Sequence, residues 1–320
     1  MTRLGVLTSG GDAPGMNACI RAVVRSGLDV GMEVVGIRRG FEGIFERDVI
    51  GLDRRAIVNI VQRGGTILGT ARSQRMRSDS GVADAVSALH ELGIEALVVI
   101  GGDGSFRGAA ALEAAGGPPT AGVPGTIDND VVGSEVSLGF DTAVNTALDA
   151  IDRIRDTATS HEMLHFVEVM GRRCGAIALA AGVAGGAEAV LVPERPVSDD
   201  DLARRIAALV AAGKRSVIVV VSEGARTGGA AEAALQVGAA LGLDYRLTVL
   251  GHVQRGGAPS AADRLLAAVL GTEAVGALAS GGRSVFIGVR YGRPVRVAYE
   301  VGATTKSLDP ILLGVVDKLA

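Results

Sequence analysis

The sequence predicts an α/β protein of doubly wound architecture with mostly parallel sheets, and two observations carry that prediction. Short, continuously apolar runs recur along the chain with amphipathic segments between them, and glycines gather where those runs end. Residues 4–8, 34–37, 96–100, 166–170, 189–192, 217–221 and 285–289 read as strands. A strand with one wet face alternates apolar and polar residues, whereas a strand covered on both faces stays apolar throughout, as in a parallel sheet flanked by helices. The segments between them have helical periodicity. One begins at Asp141, expected as its N-cap, with Val144, Leu148, Ile151 and Arg155 along one side. Another begins near Ser198 and carries Leu202, Ile206 and Leu209. Strands alternating with helices give the doubly wound arrangement. Among the 47 glycines, Gly10-Gly11, Gly64-Gly65, Gly101-Gly102-Gly104, Gly185-Gly186 and Gly256-Gly257 fall at expected strand ends, where ligands of open α/β sheets sit.

Composition bounds the rest. A chain of 320 residues holds two domains of ordinary size, and 48% hydrophobic residues exclude a disordered chain. A net charge of −3 gives no reason to expect nucleic acid or an anionic membrane as partner. Lysine appears only at Lys214, Lys306 and Lys318, so the positive charge is almost all arginine. The rigid arginine fork suits phosphate, although a codon bias produces the same excess. Cys19 and Cys174 are too few for a disulfide framework or a zinc site. The opening MTRLGVLTSGG lacks a signal-peptide pattern. The Gly/Ala-rich stretch 175–192 carries Glu188 and reads as a helix and a buried strand rather than a membrane span. The expectation is a cytoplasmic protein with a domain division near residue 140, no linker and no internal repeat.

Four constellations carry chemistry. In the first, the strand at 4–8 runs into Ser9-Gly10-Gly11-Asp12-Ala13-Pro14-Gly15-Met16-Asn17 and then a helix with Arg21 and Arg25. Glycines let a backbone approach phosphate, and a helix start offers free N–H groups. No Gly-Lys-Ser/Thr follows, so this is not a Walker A loop, and a plain tight turn is the competing reading. In the second, the strand at 96–100 ends in Gly101-Gly102-Asp103-Gly104-Ser105, where a carboxylate can hold Mg²⁺ beside nucleotide phosphates or simply cap the next helix. The third is Pro124-Gly125-Thr126-Ile127-Asp128-Asn129-Asp130. If extended, it projects Asp128 and Asp130 the same way, one to abstract a proton and the other to hold metal or orient the first; a solvated turn is the alternative. The fourth is Arg246 with Gly251-His252-Val253-Gln254-Arg255-Gly256-Gly257 and Asp263-Arg264, a set able to grip a phosphorylated sugar. Val167-Glu168-Val169-Met170-Gly171-Arg172 and Ser222-Glu223 add polar groups at strand ends.

Taken in order, these segments resemble bacterial ATP-dependent 6-phosphofructokinase. The resemblance runs from Leu4 to Arg264 and includes Arg63-Gly64-Gly65-Thr66 and Leu68-Gly69. It implies two similar doubly wound domains: a nucleotide-binding one of residues 1–139 with about 253–302, and a sugar-phosphate-binding one of about 140–252 with 303–320. It also implies a homotetramer, Mg²⁺, and transfer of the ATP γ-phosphoryl group to the 1-hydroxyl of fructose 6-phosphate, a step of glycolysis. Gly11, Arg72, Ser73, Arg77, Gly102, Asp103, Gly104, Ser105 and Gly108 would line the ATP site, with Asp103 on the metal and Phe41 where the family often has a tyrosine. Asp128 would take the hydroxyl proton, supported by Thr126 and Asp130, while Gly11, Arg72 and Arg172 serve the transfer. Thr126, Asp128, Asp130, Met170, Gly171, Arg172, Glu223, His252 and Arg255 would meet the sugar phosphate, with Arg246 reaching it from a neighbouring subunit. Pyrophosphate-using relatives carry Asp in place of Gly104 and Lys in place of Gly125, so two glycines argue for ATP.

Two departures qualify the resemblance. Many bacterial members have an arginine for the sugar's 6-phosphate where Thr159-Ser160-His161-Glu162-Met163-Leu164 places Met163. Losing one such charge-assisted contact costs about 1.5–3 kcal/mol. An effector site for ADP or phosphoenolpyruvate is matched at Arg21, Arg25, Arg54, Arg155, Glu188 and Lys214. Arg55 replaces its usual aromatic, however, and Ala212 its usual lysine, so weakened or altered allosteric control is expected. The competing readings are a pyrophosphate-dependent or other-sugar-phosphate kinase (sedoheptulose 7-phosphate, for example), a non-catalytic regulatory subunit, and an NAD-kinase relative. The last leaves the Pro124 and Gly251 motifs unexplained.

Overall fold

The computed structural model describes residues 2–161, 163–299 and 306–319. These form two compact units, one of the residues up to Asp141 with those from Arg255, the other of Thr142–Gln254 with those from Lys306. The expected boundary at 302/303 lies outside the described residues, as do Glu162 and Ala320.

In chain order the first unit starts with β1 (Arg3–Ser9), α1 (Met16–Asp29), β2 (Glu33–Ile37), α2 (Phe41–Glu46) and β3 (Val49–Gly51). It continues with α3 (Asp79–Glu91), β4 (Ala96–Gly101), α4 (Asp103–Ala114) and β5 (Thr120–Pro124). Helix α5 (Phe140–His161) leads into β6 (Leu164–Val169), α6 (Ala176–Ala184), β7 (Ala189–Leu191), α7 (Asp199–Ala211), β8 (Val217–Ser222), α8 (Gly229–Leu241) and β9 (Tyr245–Val249). The chain then returns with α9 (Ala261–Ala279), β10 (Val285–Arg290) and β11 (Arg293–Ala298), and ends in α10 (Pro310–Leu319) of the second unit.

The first unit's sheet has the order β11-β10-β5-β4-β1-β2-β3. Its five central strands are parallel, and β3 and β11 close the edges antiparallel. Strand order reverses between β1 and β4, whose carboxyl ends pair Ser9 with Gly101. That crevice is where an open α/β sheet holds ligands. Buried side chains from β1, β2, α2, α3, β4 and α4 pack on one face, with Phe106 stacked on Phe286 at 5.0 Å and on Tyr299 at 5.6 Å. The second unit's sheet, β7-β8-β6-β9, is wholly parallel, with α7 and α8 supplying Leu202, Ile206, Ala233 and Val237 to its core.

The structure corrects two local readings. Helix α5 starts at Phe140, so Asp141 is inside its first turn and not its N-cap; the Asp141 carboxylate accepts from the Ser260 hydroxyl at 2.5 Å. The fully buried stripe of α5 runs through Ala143, Ala147, Ile151 and Ala158, with Val144, Leu148 and Arg155 beside it half-buried. Ser198 does cap α7, accepting from Asp201 N–H at 3.1 Å. Among the described residues no helix is long and apolar enough to cross a membrane.

A buried carboxylate staples the first unit. Glu113 accepts from Thr120 Oγ1 at 2.8 Å, Ser284 N–H at 2.8 Å and Ser284 Oγ at 2.6 Å, as well as from Thr120 N–H. It thereby ties α4 to the starts of β5 and β10. Burial pushes its pKa up, but the hydrogen bonds from Ser284 and Thr120 outweigh burial and leave it below the usual 4.5. A carboxyl lowered on folding stabilises above its unfolded pKa and loses that contribution as pH falls through the folded value. Glu113→Ala leaves two backbone N–H groups without partners, and urea unfolding at neutral pH should show a loss of about 2–5 kcal/mol. The deficit should shrink below about pH 4.5 as wild-type Glu113 protonates.

Candidate active site

The carboxyl edge of the first unit's sheet is built from backbone in contact with backbone. A Cβ on Gly101 would lie 2.4 Å from Ser105 Oγ and 2.6 Å from the Ser9 carbonyl, so only glycine lets β1 and β4 end side by side. The Ser105 hydroxyl is spent on that same Ser9 carbonyl at 3.2 Å. Gly10 has φ +90°, and a Cβ on Gly11 would sit 2.2 Å from the Arg255 guanidinium. Arg255 lies across this loop and donates to the Asp12 carbonyl at 3.1 Å. Of the residues expected to grip the sugar phosphate, Arg255 therefore belongs to the first unit, with Thr126, Asp128 and Asp130.

Asp103 opens α4 at the end of β4, partly exposed and paired with Arg107 one turn on. The helix-cap reading of Asp103 does not hold, because Gly102 takes the cap position and the Asp103 side chain turns to Arg107. Gly108 faces Phe41, whose ring a Cβ would approach to 2.9 Å. Arg72 and Arg77 are exposed, and Ser73 Oγ accepts from Met76 N–H at 3.3 Å. The loop carrying Arg72 is pinned to the strand-end glycines: Thr70 Oγ1 donates to the Gly10 carbonyl at 2.8 Å, and Thr8 Oγ1 donates to that of Gly69 at 2.8 Å. Asn17 completes the clamp. Its amide donates to the carbonyls of Arg63 and Gly64 at 3.1 Å each, and its oxygen accepts from Ile67 N–H at 2.7 Å. Sequence reading saw Asn17 only as the end of a glycine motif; an amide that satisfies three loop groups at once shows itself only in the folded chain.

The acidic motif follows β5, which pairs with β4 so that Gly101 lies opposite Pro124. Asp103 and Asp128 thus follow the carboxyl ends of neighbouring strands. The motif is a turn and not extended, which corrects the sequence reading: Asn129 has φ +51°, so the alternation that would align Asp128 with Asp130 does not apply. Instead Asp128 is buried and Asp130 half-buried. Asp128 N–H donates to Thr126 Oγ1 at 3.2 Å, and Ser137 Oγ donates to the Thr126 carbonyl at 2.6 Å, holding the turn. Asp263 and Arg264 are structural here: Asp263 Oδ1 accepts from Gly139 N–H at 2.8 Å, and Arg264 donates to the Pro259 carbonyl at 2.8 Å.

In the second unit the strand order turns about β6, and the residues after it are strained into a bend, with φ +142° at Gly171 and +51° at Arg172. Glu223, at the end of β8, accepts from Gly171 N–H at 3.2 Å and Arg172 N–H at 2.8 Å. Met170 N–H donates to Gln254 at 2.8 Å, and the Gln254 amide donates to the Ala143 carbonyl at 3.3 Å. Met170, Gly171, Arg172 and Glu223 therefore meet at one strand-end cluster, with Gln254 as the anchor that sequence reading did not single out. His252 follows β9 and Arg246 lies on it, both exposed.

A model of the family described as phosphofructokinase matches residues 3–278. This chain belongs to the phosphofructokinase family. The ATP-dependent 6-phosphofructokinase 1 of Thermus thermophilus is 56% identical over 288 residues, 90% of this chain and 89% of that one. The ATP-dependent 6-phosphofructokinase of Clostridium botulinum is 46% identical over 321 residues and the full length of both. A solved phosphofructokinase from Saccharomyces cerevisiae superposes with a TM-score of 0.86 at 33% identity over all of this chain; the chain spans 46% of that longer one. A pyrophosphate-dependent phosphofructokinase from Marinobacter aquaeolei shares the fold, with a TM-score of 0.87 at 24% identity over 97% of this chain and 86% of that one.

The phosphofructokinase residues fit a magnesium ion carried by a nucleotide better than one held by the protein alone. No group of three or more His, Cys, Asp or Glu gathers among the described residues. Mg²⁺ with phosphates characteristically uses one or two carboxylates, and Asp103 is the carboxylate that stands at the strand-end glycines. Of the expected effector residues, Arg155, Glu188 and Lys214 converge in the second unit. Buried Glu188 is 3.4 Å from Arg155 and 2.7 Å from Lys214, and accepts from Ile218 N–H at 2.6 Å. Arg21 and Arg25 lie one turn apart on α1, and Arg54 follows β3, all in the first unit. Asn17→Ala should strand three backbone groups of the Arg72 loop and lower stability in urea by about 2–5 kcal/mol.

Proposed function

We propose that this chain is an ATP-dependent 6-phosphofructokinase, transferring the γ-phosphoryl group of ATP to the 1-hydroxyl of fructose 6-phosphate to give fructose 1,6-bisphosphate and ADP. The observation that carries the reading is buried Asp128 in its pinned turn, one strand over from Asp103 at a shared carboxyl edge. The names of the bacterial relatives agree with it.

Phosphoryl transfer asks for positioning and charge neutralisation more than for covalent chemistry. Asp128 receives the hydroxyl proton as the new O–P bond forms and the bond to ADP breaks, with Thr126 and Asp130 supporting it. The Arg72 guanidinium bridges the donor phosphates and the moving group, and Gly11 N–H shares that charge. Ser73, Arg77, Gly102, Gly104, Ser105 and Gly108 line the nucleotide. Asp103 would hold Mg²⁺, which when bound neutralises phosphate charge. Met170, Gly171, Arg172, Glu223, Arg246, His252 and Arg255 hold the sugar phosphate. The first unit thus serves the nucleotide and also carries Thr126, Asp128, Asp130 and Arg255, while the second carries the other sugar-phosphate contacts, in a cytoplasmic homotetramer acting in glycolysis.

ATP is favoured as donor by Gly104, where a Cβ would meet nothing nearer than Arg107 at 3.8 Å. That space is open to an α-phosphate, or to an aspartate that would repel one. Gly125 is less telling, since a Cβ there would sit 3.0 Å from Ile100 and 3.2 Å from Met16 whatever the donor.

A coupled assay with ATP, Mg²⁺ and fructose 6-phosphate tests the reading, with pyrophosphate and sedoheptulose 7-phosphate as alternative donor and acceptor. ATP with fructose 6-phosphate should give the highest kcat/KM; faster turnover with pyrophosphate would refute the donor assignment. Asp128→Asn should lower kcat by about 10²–10⁴-fold, and unchanged turnover would remove Asp128 from the mechanism. ADP and phosphoenolpyruvate should each change activity only weakly, because Arg55 and Ala212 depart from the effector pattern; strong control by both would contradict this.

A further inference from the structure

Met163 leaves the sugar phosphate one cation short of the expected set, and the structure puts another nitrogen donor two residues further along. Strands β6 and β9 run parallel with His165 opposite Arg246 and Val167 opposite Thr248. Paired positions of parallel strands point to the same face, so His165, Arg246 and Thr248 share one. His165 Nε2 is 2.9 Å from Thr248 Oγ1. Arg246 is exposed on the edge strand and donates to the carbonyl of Tyr245 at 3.1 Å. Among the described residues neither His165 nor Arg246 pairs with a carboxylate.

We propose that His165, with Arg246 and Thr248, recognises the phosphate monoester of the sugar substrate, taking up a proton from solvent as the dianion arrives. This rests on the functional reading above and adds His165 to its phosphate contacts. The surroundings favour such a response. Burial first, and then the field of Arg246, hold the free imidazole below its usual 6.5; a dianion between the two cancels the second effect and favours imidazolium. Opposite His165 on β8 stands uncharged Ile218. Glu188 meets the Ile218 N–H and is matched by Arg155 and Lys214. Helix α8 packs with Leu164 and Phe166 on the opposite face of β6, so its Glu232, which accepts from Gln236, is not on the His165 side, and α6, packed on β8, carries no titratable residue. Glu168 of β6 itself accepts from Ala230 N–H. Arg246 is thus the charge that His165 feels.

The sign follows from linkage. Protonated His165 binds phosphate more tightly, so affinity is highest below the imidazole pKa of the complex and falls as pH rises through it. Phosphate monoesters lose their second proton near pH 6, which sets the useful window from about pH 6 to about pH 8. With ATP saturating, KM for fructose 6-phosphate should rise across that window. His165→Ala and His165→Asn should raise it about 10- to 100-fold at the acid end, flatten its pH dependence, and leave kcat and KM for ATP within about twofold. His165→Arg should restore a low KM without pH dependence. An imidazole that only packs against Thr248 predicts that His165→Asn leaves KM and its pH profile unchanged, and that result overturns the proposal. A second measurement separates this inference from the substrate assignment. Inorganic phosphate is titrated into the wild-type enzyme while the His165 ring, assigned with His165→Asn, is followed by NMR. The ring should titrate at higher pH with phosphate present; an unmoved titration overturns the proposal whichever sugar the enzyme uses.

Discussion

The contact between the ends of β1 and β4 is the constraint from which the rest of the site follows. Ser9 and Gly101 are register partners, and the space a side chain at 101 would need is filled by the Ser9 carbonyl and the Ser105 hydroxyl. Because the strands close up there, two loops leave the sheet at its reversal of strand order. One is Gly10-Gly11 and the other Gly102-Asp103-Gly104. The backbone at that crevice presents N–H groups and a helix start, which is what an anionic ligand requires. A β-carbon at 101 would separate the loops.

Around that contact, short polar side chains hold long loops. Thr8, Asn17 and Thr70 fix the segment that ends at Arg72, and Ser137 fixes the turn that presents Asp128. Glu223 and Gln254 do the same for the Met170–Arg172 bend. In each case a residue of no obvious chemistry sets the direction of one with much. Arginine carries several soft torsions, so its aim depends on how rigid its backbone is, and these clamps supply the rigidity that catalysis by positioning demands.

Much of this was legible in the sequence, for identifiable reasons. The seven apolar runs became strands because parallel strands buried on both faces need uninterrupted apolar residues. β1, β4 and β8 are buried nearly throughout. Strand β9 escaped because an edge strand is half wet, and its Tyr-Arg-Leu-Thr-Val run has no continuous apolar character. β11 escaped for the same reason, β3 because three residues are too few to read, and interior β5 because Thr-Ala-Gly-Val-Pro is buried without being a run of large apolar residues. The acidic motif was located but its shape was not: left-handed Asn129 breaks the alternation on which the paired-carboxylate argument stood. Most of the clamps were invisible because their partners lie some 50 to 110 positions away, as with Asn17 to Ile67 and Gln254 to Ala143; Ser137, 11 positions from Thr126, is the exception.

The departures from the family pattern fall where the fold permits them. Arg55 and Ala212 are exposed and Met163 is half-buried, so a change at any of them disturbs no packed backbone. Gly101, Gly125 and Gly64 are different, since a Cβ at each would meet neighbours at 2.4 Å, 3.0 Å and 2.1 Å. A Cβ at 125 would press on the side chains of Ile100 and Met16, which would have to give by a few tenths of an ångström, whereas an aspartate at 104 would enter open space. The two positions that together argue for ATP are therefore unequal in this chain. At Gly125 a side chain carries a packing cost as well as a charge, and at Gly104 it meets open space, so Gly104 records the choice of phosphoryl donor more directly.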